Sequence, residues 1–345
     1  MQAYVLHGIE DLKREERADP AVGDGDVLIR IRRVGICGSD VHYYRHYRIG
    51  SFVPQAPLVL GHEFSGDVVA LGKGVTAFSE GDRVTVEPSI ECRTCAYCRS
   101  GRYNLCTNLK FCGTAATVPH IDGGFAEYVS MPARNCYLLP ENLDYGGGAL
   151  VEPMAVGAHA VMRAGNIAGK RVLITGGGTI GQMVLAVASL VGAGDITVAD
   201  PDGYAREFSL AHGASRAVDS TEEGLADRLF RDGGYEVLFE AAGHPGALEF
   251  CYRVAARGAT VVQVGTQPDS VTLPINLLMS KELDVFGSFR YAHVYPMVLD
   301  WMAKGRVAVE DLISVVYPYD RFQEAMDRAV EKKSVIKVQV EQGVS

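Results

Sequence analysis

Short apolar runs alternate with helical patterns between residues 149 and 288. The apolar runs lie at 171–176, 195–200, 216–219, 235–243, 259–265 and 283–289. Between them, apolar residues recur at the three- and four-residue spacing of an amphipathic helix. Because neighbouring parallel strands must be joined by a crossover, this alternation predicts a doubly wound, parallel α/β sheet.

The segments on either side have a different pattern. From residue 1 to about 148, short alternating strands such as 27–31 are broken by Gly, Pro and Asp, which predicts an irregular β-rich domain. After residue 290, helical patterns at 295–304 and 321–332 precede a strand-like run at 335–340. This tail is a candidate to rejoin the first domain.

Composition and charge narrow the functional classes. Of 345 residues, 48% are hydrophobic and 22% are charged, as in an ordinary globular protein. No apolar run reaches the roughly 18 residues of a membrane span, and the early charges at 10–14 argue against a signal peptide. The net charge of -9 argues against a nucleic-acid partner. We therefore expect a cytoplasmic protein with neither a membrane nor a nucleic-acid partner.

A glycine-rich segment follows the first apolar run. Residues 171–175 lead into Gly176, Gly178 and Gly181 of a GxGxxG pattern, and a helical pattern follows. In such a loop the first glycine permits the tight turn, the second lets the backbone approach a pyrophosphate, and the third lets helix and strand pack closely. The alternative is an ordinary glycine-rich turn.

The position of Asp200 favours the dinucleotide interpretation. It lies 19 residues after Gly181, at the end of the next predicted strand. A carboxylate there accepts hydrogen bonds from the adenosine ribose and repels a 2′-phosphate, so we expect NAD as the cofactor. Arg206 nearby leaves NADP as the alternative.

Cysteine usage indicates metal rather than disulfides, because clustered cysteines in a chain without an export signal are more often metal ligands. Four of the eight cysteines lie within fifteen residues, namely Cys92, Cys95, Cys98 and Cys106. Four thiolates at this spacing suit a closed, tetrahedral structural zinc. Unmetalled buried cysteines and an iron–sulfur cluster are the alternatives.

A second potential ligand set is dispersed along the chain. It consists of Cys37, the adjacent pair His62 and Glu63, and Glu152. Cysteine, histidine and glutamate together can form a catalytic zinc site with one open position. Taken singly, Cys37 reads as a core cysteine and His62 as a structural histidine. A nucleotide-binding fold strengthens the metal interpretation, because a Lewis acid beside a nicotinamide makes chemical sense.

These motifs, in this order, resemble those of the zinc-dependent medium-chain dehydrogenases. The matching segments are GICGSDVHYY at 35–44, LGHEFSGDVVALGKGV at 60–75, the cysteine quartet, VEPMAVG at 151–157 and GGGTIG at 176–181. The resemblance implies a GroES-like catalytic domain formed by 1–148 and 289–345, and a Rossmann nucleotide-binding domain at 149–288. At position 152 this chain carries glutamate and so resembles the polyol branch of the family, whereas alcohol dehydrogenases usually carry cysteine there.

The resemblance also implies roles for single residues. Cys37 and His62 would bind the catalytic zinc, with Glu152 binding directly or through water and Glu63 as an alternate ligand. Ser39 and His42 would carry the substrate proton. Polyol contacts would come from Tyr43, Arg290 and Tyr291. Cofactor contacts would come from Gly176, Gly178, Thr179, Ile180, Gly181, Asp200, Arg206, Val264 and Ser288.

The expected activity is hydride transfer between a secondary alcohol of a sugar acid or polyol and NAD(P), with two zinc ions per chain. Segments 119–125 and 241–245 are similar to those of bacterial L-idonate 5-dehydrogenases, which implies oxidation of L-idonate to 5-keto-D-gluconate. Arg290, Arg45 and Arg48 are candidates to bind its carboxylate. A sorbitol or xylitol dehydrogenase and a non-catalytic NAD(P)-binding relative are the alternatives. The resemblance further implies a homodimer or homotetramer.

Overall fold

The computed structural model describes residues 1–308 and 310–343. Three residues of the predicted tail 289–345 lie outside the described residues, namely Val309, Val344 and Ser345. No helix in the described ranges is long and apolar enough to cross a membrane.

The N-terminal part is rich in strands, as its pattern predicts. Its strands are β1 (Gln2–Gly8), β2 (Asp11–Glu16), β3 (Asp26–Ile36), β4 (Leu58–Val59), β5 (Glu63–Leu71), β6 (Arg83–Val86), β7 (Ser89–Ile90), β8 (Lys110–Phe111), β9 (Tyr128–Pro132) and β10 (Cys136–Leu138). Two helices, α1 (Gly38–His46) and the short α2 (Ala96–Arg99), interrupt them. The long strand β3 pairs antiparallel with both β5 and β9, and its apolar side chains face the core.

A long helix, α3 (Tyr145–Arg163), leads from these strands to the nucleotide-type sheet. It begins where the Asp144 carboxylate accepts a hydrogen bond from the N–H of Gly147, at 2.7 Å. Its N-terminal half packs against β3, β5 and β6, and it also contacts α4 and α9. The middle of this helix places Glu152 between the two halves of the molecule.

The predicted parallel sheet is confirmed, and all six apolar runs form strands. The elements are β11 (Arg171–Thr175), α4 (Thr179–Leu190), β12 (Asp195–Ala199), α5 (Gly203–Ala211), β13 (Arg216–Val218), α6 (Leu225–Arg231), β14 (Tyr235–Glu240), α7 (Pro245–Val254), β15 (Ala255–Gln263), α8 (Ile275–Ser280) and β16 (Asp284–Gly287). The spatial order is β13-β12-β11-β14-β15-β16. All neighbouring strands are parallel, and the strand order reverses between β11 and β14, which is where ligands bind in such sheets.

Two predicted boundaries in this sheet are wrong by three residues or more. Strand β15 begins at Ala255, four residues before the predicted run 259–265. The apolar run 235–243 continues past the end of β14 at Glu240. Its carboxylate accepts hydrogen bonds from the N–H groups of Ala242 and Gly243, at 2.9 and 2.7 Å. Gly243 has a φ of +66°. These bonds turn the chain away from the sheet, so apolar character alone overestimates the strand length.

The tail returns to the N-terminal sheet. Its elements are α9 (Tyr295–Ala303), β17 (Ile313–Pro318), α10 (Phe322–Glu331) and β18 (Lys337–Glu341). Strand β18 pairs antiparallel with β3 and parallel with β17. The last strand therefore lies beside the end of β3, immediately before Cys37, and this pairing places the tail at the site described next.

Candidate metal and dinucleotide sites

Three of the predicted metal ligands converge at the end of β3. One ligand atom each from Cys37, His62 and Glu63 lies within 4.8 Å of the other two. Cys37 precedes α1, and the other two stand at the start of β5, which pairs with β3. Opposite Glu63 stands Gly35, where an added Cβ would lie 2.2 Å from the glutamate Oε2. A glycine at this position therefore leaves room for the carboxylate.

Asp40 is a buried carboxylate that faces His62, with 3.7 Å between its Oδ1 and the imidazole Nδ1. Its other oxygen accepts a hydrogen bond from the N–H of Cys37 at 2.9 Å. Burial raises the pKa of Asp40 to about 6, against the opposing effect of His62. Burial lowers the pKa of His62, but Asp40 and Cys37 raise it more, to about 10. Asp40 and Cys37 therefore favour a positive charge beside them, on His62.

Glu63 forms a buried ion pair with Lys337 of β18. The ammonium Nζ lies 2.9 Å from Oε1 and 2.7 Å from Oε2, and it also donates to the carbonyl of Ile36 at 3.2 Å. Burial alone would lower the pKa of Lys337, but the charge of Glu63 raises it overall. The last strand thus supplies the cation that compensates one carboxylate of the metal group.

Glu152 lies beside this group rather than within it. Its Oε1 accepts a hydrogen bond from the Tyr291 hydroxyl at 3.0 Å. Burial raises its pKa to about 7, and the negative charge of Glu63 adds to the rise while His62 opposes it. The structure therefore brings Glu63 closest to Cys37 and His62, with Glu152 as a nearby carboxylate.

Arg290 lies one aromatic ring away from His62. Its guanidinium carbon is 4.3 Å from the ring centroid of Phe111, and that ring makes an edge contact with His62. Burial lowers the pKa of Arg290 to about 10. Among the side chains that the structure describes, no carboxylate lies within 4 Å of its guanidinium nitrogens. Arg45 instead pairs with Glu10 at the surface.

The remaining predicted substrate and proton-transfer residues lie on α1. The Ser39 hydroxyl is 3.4 Å from Nε2 of His62. Tyr43 is buried, and its hydroxyl accepts a hydrogen bond from the N–H of Ala115 at 3.2 Å. The ring of His42 lies 5.5 Å from that of His46. The pKa of His42 is lowered, first by burial and then by His46, which favours a neutral imidazole.

The four clustered cysteines form one compact group, and all four sulfur atoms lie within 4.8 Å of one another. Cys98 Sγ is 3.5 Å from Cys95 Sγ and 4.0 Å from Cys92 Sγ. Ligands at about 2.3 Å from a tetrahedral zinc lie about 3.8 Å apart, so these separations fit the ion. The N–H groups of Cys92 and Asn108 both donate to Cys106 Sγ. Such hydrogen bonds stabilise thiolates.

The glycine loop follows β11 at the carboxyl edge of the parallel sheet, where the strand order reverses. Gly176 has a φ of +89° and turns the chain out of β11. A Cβ at Gly181 would lie 1.8 Å from the carbonyl oxygen of Gly176, so helix and loop are in close contact there. A Cβ at Gly178 would meet no atom within 4 Å. Its backbone therefore faces open space before the N-terminus of α4.

The other predicted cofactor residues border the same edge. Asp200 follows β12, and its two carboxylate oxygens accept hydrogen bonds from the N–H groups of Gly177 and Asp202, both at 2.7 Å. Arg206 donates to the carbonyl of Asp200 at 2.8 Å. Val264 and Ser288 follow β15 and β16. Thr179 and Ile180 open α4, and the Thr179 hydroxyl donates to the carbonyl of Ile336.

The sequence did not point to two residues that contact the metal group of Cys37, His62 and Glu63. These two residues are Asp40 and Lys337. Asp40 stands three residues after Cys37, where a helix N-terminus often carries an acid, and this spacing is the signal that could have found it. The residues around Lys337 in the sequence do not indicate that it is buried in an ion pair, because its partner Glu63 lies 274 residues away in the chain.

The donor chemistry fits two zinc ions. The cysteine group offers four sulfurs, which is the ligand set of a closed structural site. The other group offers sulfur, imidazole and carboxylate, which leaves a position for substrate. It also contains two buried polar atoms without a hydrogen-bond partner, Asp40 Oδ1 and His62 Nδ1. Their separation of 3.7 Å suits a carboxylate that orients a metal-binding imidazole.

Comparison with known proteins gives matches over almost the entire chain. Residues 23–141 match the alcohol dehydrogenase GroES-like domain, and residues 179–304 match the zinc-binding dehydrogenase family. Sorbitol dehydrogenase of Bacillus subtilis is 37% identical over 99% of this chain and 97% of its own. The structure of L-idonate 5-dehydrogenase from Escherichia coli superposes with a TM-score of 0.91 at 33% identity, covering 99% of this chain and 97% of that one.

A second similar structure contains a bound cofactor. It is an alcohol dehydrogenase from Escherichia coli complexed with NADH, with a TM-score of 0.91 at 29% identity and a coverage of 99% for both chains.

Replacing Lys337 by methionine tests the ion pair. Lys337→Met leaves Glu63 buried without its ammonium partner, so we expect a loss of about 3–5 kcal/mol in the free energy of unfolding of the metal-free protein, in which no zinc compensates the carboxylate. Urea denaturation measures it. Lys333→Met, at an exposed lysine of the same tail, should change stability by less than about 0.5 kcal/mol. Equal stabilities for the two variants would contradict this role.

Two glycine substitutions separate packing from cofactor approach. Gly181→Ala forces a methyl group against the Gly176 carbonyl, so it should lower the melting temperature even without cofactor. Gly178→Ala should leave the melting temperature unchanged but weaken NADH binding at least tenfold, because its methyl enters the space before α4. Thermal unfolding and NADH fluorescence titration measure these effects. Normal NADH affinity in Gly178→Ala would place the pyrophosphate elsewhere.

Proposed function

The chain belongs to the zinc-binding dehydrogenases, in their polyol branch, and on that basis we propose that it oxidises L-idonate at C5 to 5-keto-D-gluconate with NAD. The observation that carries this proposal is the guanidinium of Arg290. The Arg290 side chain is partly exposed and stacks on Phe111. A substrate carboxylate or vicinal hydroxyl groups would bind its guanidinium with two parallel hydrogen bonds.

The position of Arg290 supports a sugar acid that spans the site. The reacting carbon, C5, must lie at the metal group, and the carboxylate is at the other end of the carbon chain. Arg290 stands one ring beyond His62, separated from it by Phe111. The other candidate cations are engaged elsewhere, because Arg45 pairs with Glu10 and Arg48 donates to the carbonyl of Gly50.

The residues of this chain would bind the reactants and move the proton. When bound, zinc acts as a Lewis acid toward an alcohol oxygen, and NAD accepts the hydride. Cys37, His62 and a carboxylate, Glu63 or Glu152, would hold the zinc. Ser39, 3.4 Å from His62, would accept the proton of the substrate hydroxyl. His42, with its lowered pKa, would take the proton on toward solvent.

The cofactor proposal rests on Asp200. Both its carboxylate oxygens are held by backbone N–H groups at the end of β12. This orientation would present the carboxylate to the adenosine ribose, which favours NAD over NADP. Arg206 supports no 2′-phosphate site, because its guanidinium already donates to the carbonyls of Asp200 and Pro201.

A polyol such as sorbitol or xylitol is the second candidate substrate. The 37% identity to sorbitol dehydrogenase favours it, and Arg290 can also bind vicinal hydroxyl groups. A non-catalytic role has no support, since both ligand sets are complete and the relatives are enzymes.

The proposed organisation assigns residues 1–148 and 289–345 to one domain and 149–288 to the other. Pairing of β18 with β3 supports this division. We place the protein in the cytoplasm, because its cysteine group needs reduced thiols to bind zinc.

We further propose a homodimer or homotetramer. Strand β16 is the edge of the parallel sheet, and Val285 on it is 39% exposed. The preceding helix exposes Ile275 and Met279, at 61% and 70%. An uncovered strand edge flanked by apolar side chains can be extended by a second copy of the same strand.

A substrate panel tests the activity. We expect L-idonate to give a higher kcat/KM than sorbitol or xylitol, and NAD to exceed NADP, as followed by the absorbance of reduced cofactor. Arg290→Lys keeps the charge but loses the planar fork, so it should lower kcat/KM for L-idonate about tenfold or more while zinc stays at two ions per chain. Faster turnover of sorbitol or xylitol would refute L-idonate as the substrate. Loss of zinc in Arg290→Lys would instead assign the arginine to the metal group.

A lysine on the strand edge tests the oligomer. Val285→Lys should convert the protein to monomers, because a charge at an exposed edge opposes strand pairing. Light scattering coupled to size exclusion measures the mass. Leu210→Lys, at a 50% exposed position on α5 near the opposite edge, should leave the mass unchanged. A monomeric wild type, or an unaltered mass in Val285→Lys, would contradict the proposal.

A further inference from the structure

The segment 289–293, which carries Arg290 and Tyr291, has an unusual backbone. Arg290 and His293 have φ angles of +53° and +61°. This left-handed region is unfavourable for residues other than glycine, and such residues persist only where their surroundings enforce the conformation. The segment is therefore held in shape from outside.

The cysteine lobe, which we define as residues 89–111 from β7 to β8, contacts both ends of this segment. At its first residue, the amide nitrogen of Asn104 donates to the carbonyl of Phe289 at 2.9 Å. At its last residue, the N–H of His293 donates to the Tyr103 hydroxyl at 2.8 Å. The His293 imidazole Nε2 also donates to the carbonyl of Gly101 at 2.7 Å.

The same lobe also contacts the arginine side chain. Phe111, the last residue of β8, lies under the Arg290 guanidinium at 4.3 Å. The rings of Tyr103 and His293 meet edge to face, with their centroids 4.8 Å apart. Three hydrogen bonds and two ring contacts thus join the lobe to a segment nearly 200 residues later in the chain.

We propose that Tyr103 and His293 are positioning residues for substrate binding: through them the cysteine lobe holds 289–293 in the conformation that presents Arg290 to the substrate. The lobe that the cysteine quartet forms would then serve substrate recognition as well as stability. This inference rests on the substrate role of Arg290 proposed above.

Two conservative variants of the zinc-loaded enzyme test it. Tyr103→Phe removes the hydroxyl that accepts from the N–H of His293, and with it the hydrogen bond of that hydroxyl to Glu87, which keeps the Tyr137 hydroxyl as a donor. His293→Asn removes the imidazole but keeps a residue that tolerates positive φ. Each should raise KM for the best substrate of the panel about two- to tenfold, the range expected for one lost hydrogen bond. The kcat value, NADH affinity and zinc content should stay near those of the wild type.

Arg99→Ala is the matched control, because Arg99 is an exposed residue of the same lobe. Its KM should equal that of the wild type. A merely structural role predicts instead that Tyr103→Phe and His293→Asn lower the melting temperature or the zinc content with KM unchanged, and that result would overturn the proposal.

A double variant shows whether the effect passes through Arg290. In the Arg290→Lys background the fork is already lost, so adding Tyr103→Phe should raise KM by less than twofold. A full additional rise would overturn positioning through Arg290. If Arg290→Lys leaves KM unchanged, the substrate role of Arg290 fails. If Arg290→Lys raises KM but Tyr103→Phe and His293→Asn do not, only the role of the lobe fails.

Discussion

The buried ion pair between Glu63 and Lys337 is the interaction on which the site depends. It connects the first residue of β5 to the first residue of β18, and thereby closes the N-terminal sheet around the metal group. The neighbouring carbonyl of Ile336 accepts from Thr179 in the glycine loop. Two adjacent residues of the tail therefore contact both the metal group and the dinucleotide loop.

The buried carboxylates near Cys37 carry more negative charge than the described cations beside them compensate. Asp40, Glu63 and Glu152 are all buried near Cys37, and burial raises the pKa values of Asp40 and Glu152. The single ammonium of Lys337 pairs with only one of these carboxylates. A buried excess of negative charge is stable when a cation is bound, and zinc supplies that cation in this family. Arg290 provides a further positive charge, separated from His62 by the ring of Phe111.

The recognisable parts of the site and fold depend on local spacing. The six parallel strands, the glycine loop and the cysteine quartet were predictable, because strand periodicity, tight turns and closely spaced ligands all act over a few residues. Asp40 and Lys337 were not, because aspartate and lysine usually lie at the surface and nothing near Lys337 in the chain marks it as buried. The end of β14 was misplaced for a similar reason, since the side chain of Glu240 turns the backbone while the apolar run continues.

The sequence by itself determined the doubly wound sheet, the cysteine quartet and the chemical types of the candidate zinc ligands. Each follows from a residue pattern whose physical cause is local. Only the tertiary structure decided which cation neutralises which carboxylate, and that Arg45 pairs at the surface while Arg290 lies beside the metal group. Those choices depend on the return of the tail to β3 and on the contacts of the cysteine lobe with 289–293. Ion pairing and desolvation act through space, so residues far apart in the chain share one site only once the fold has brought them together.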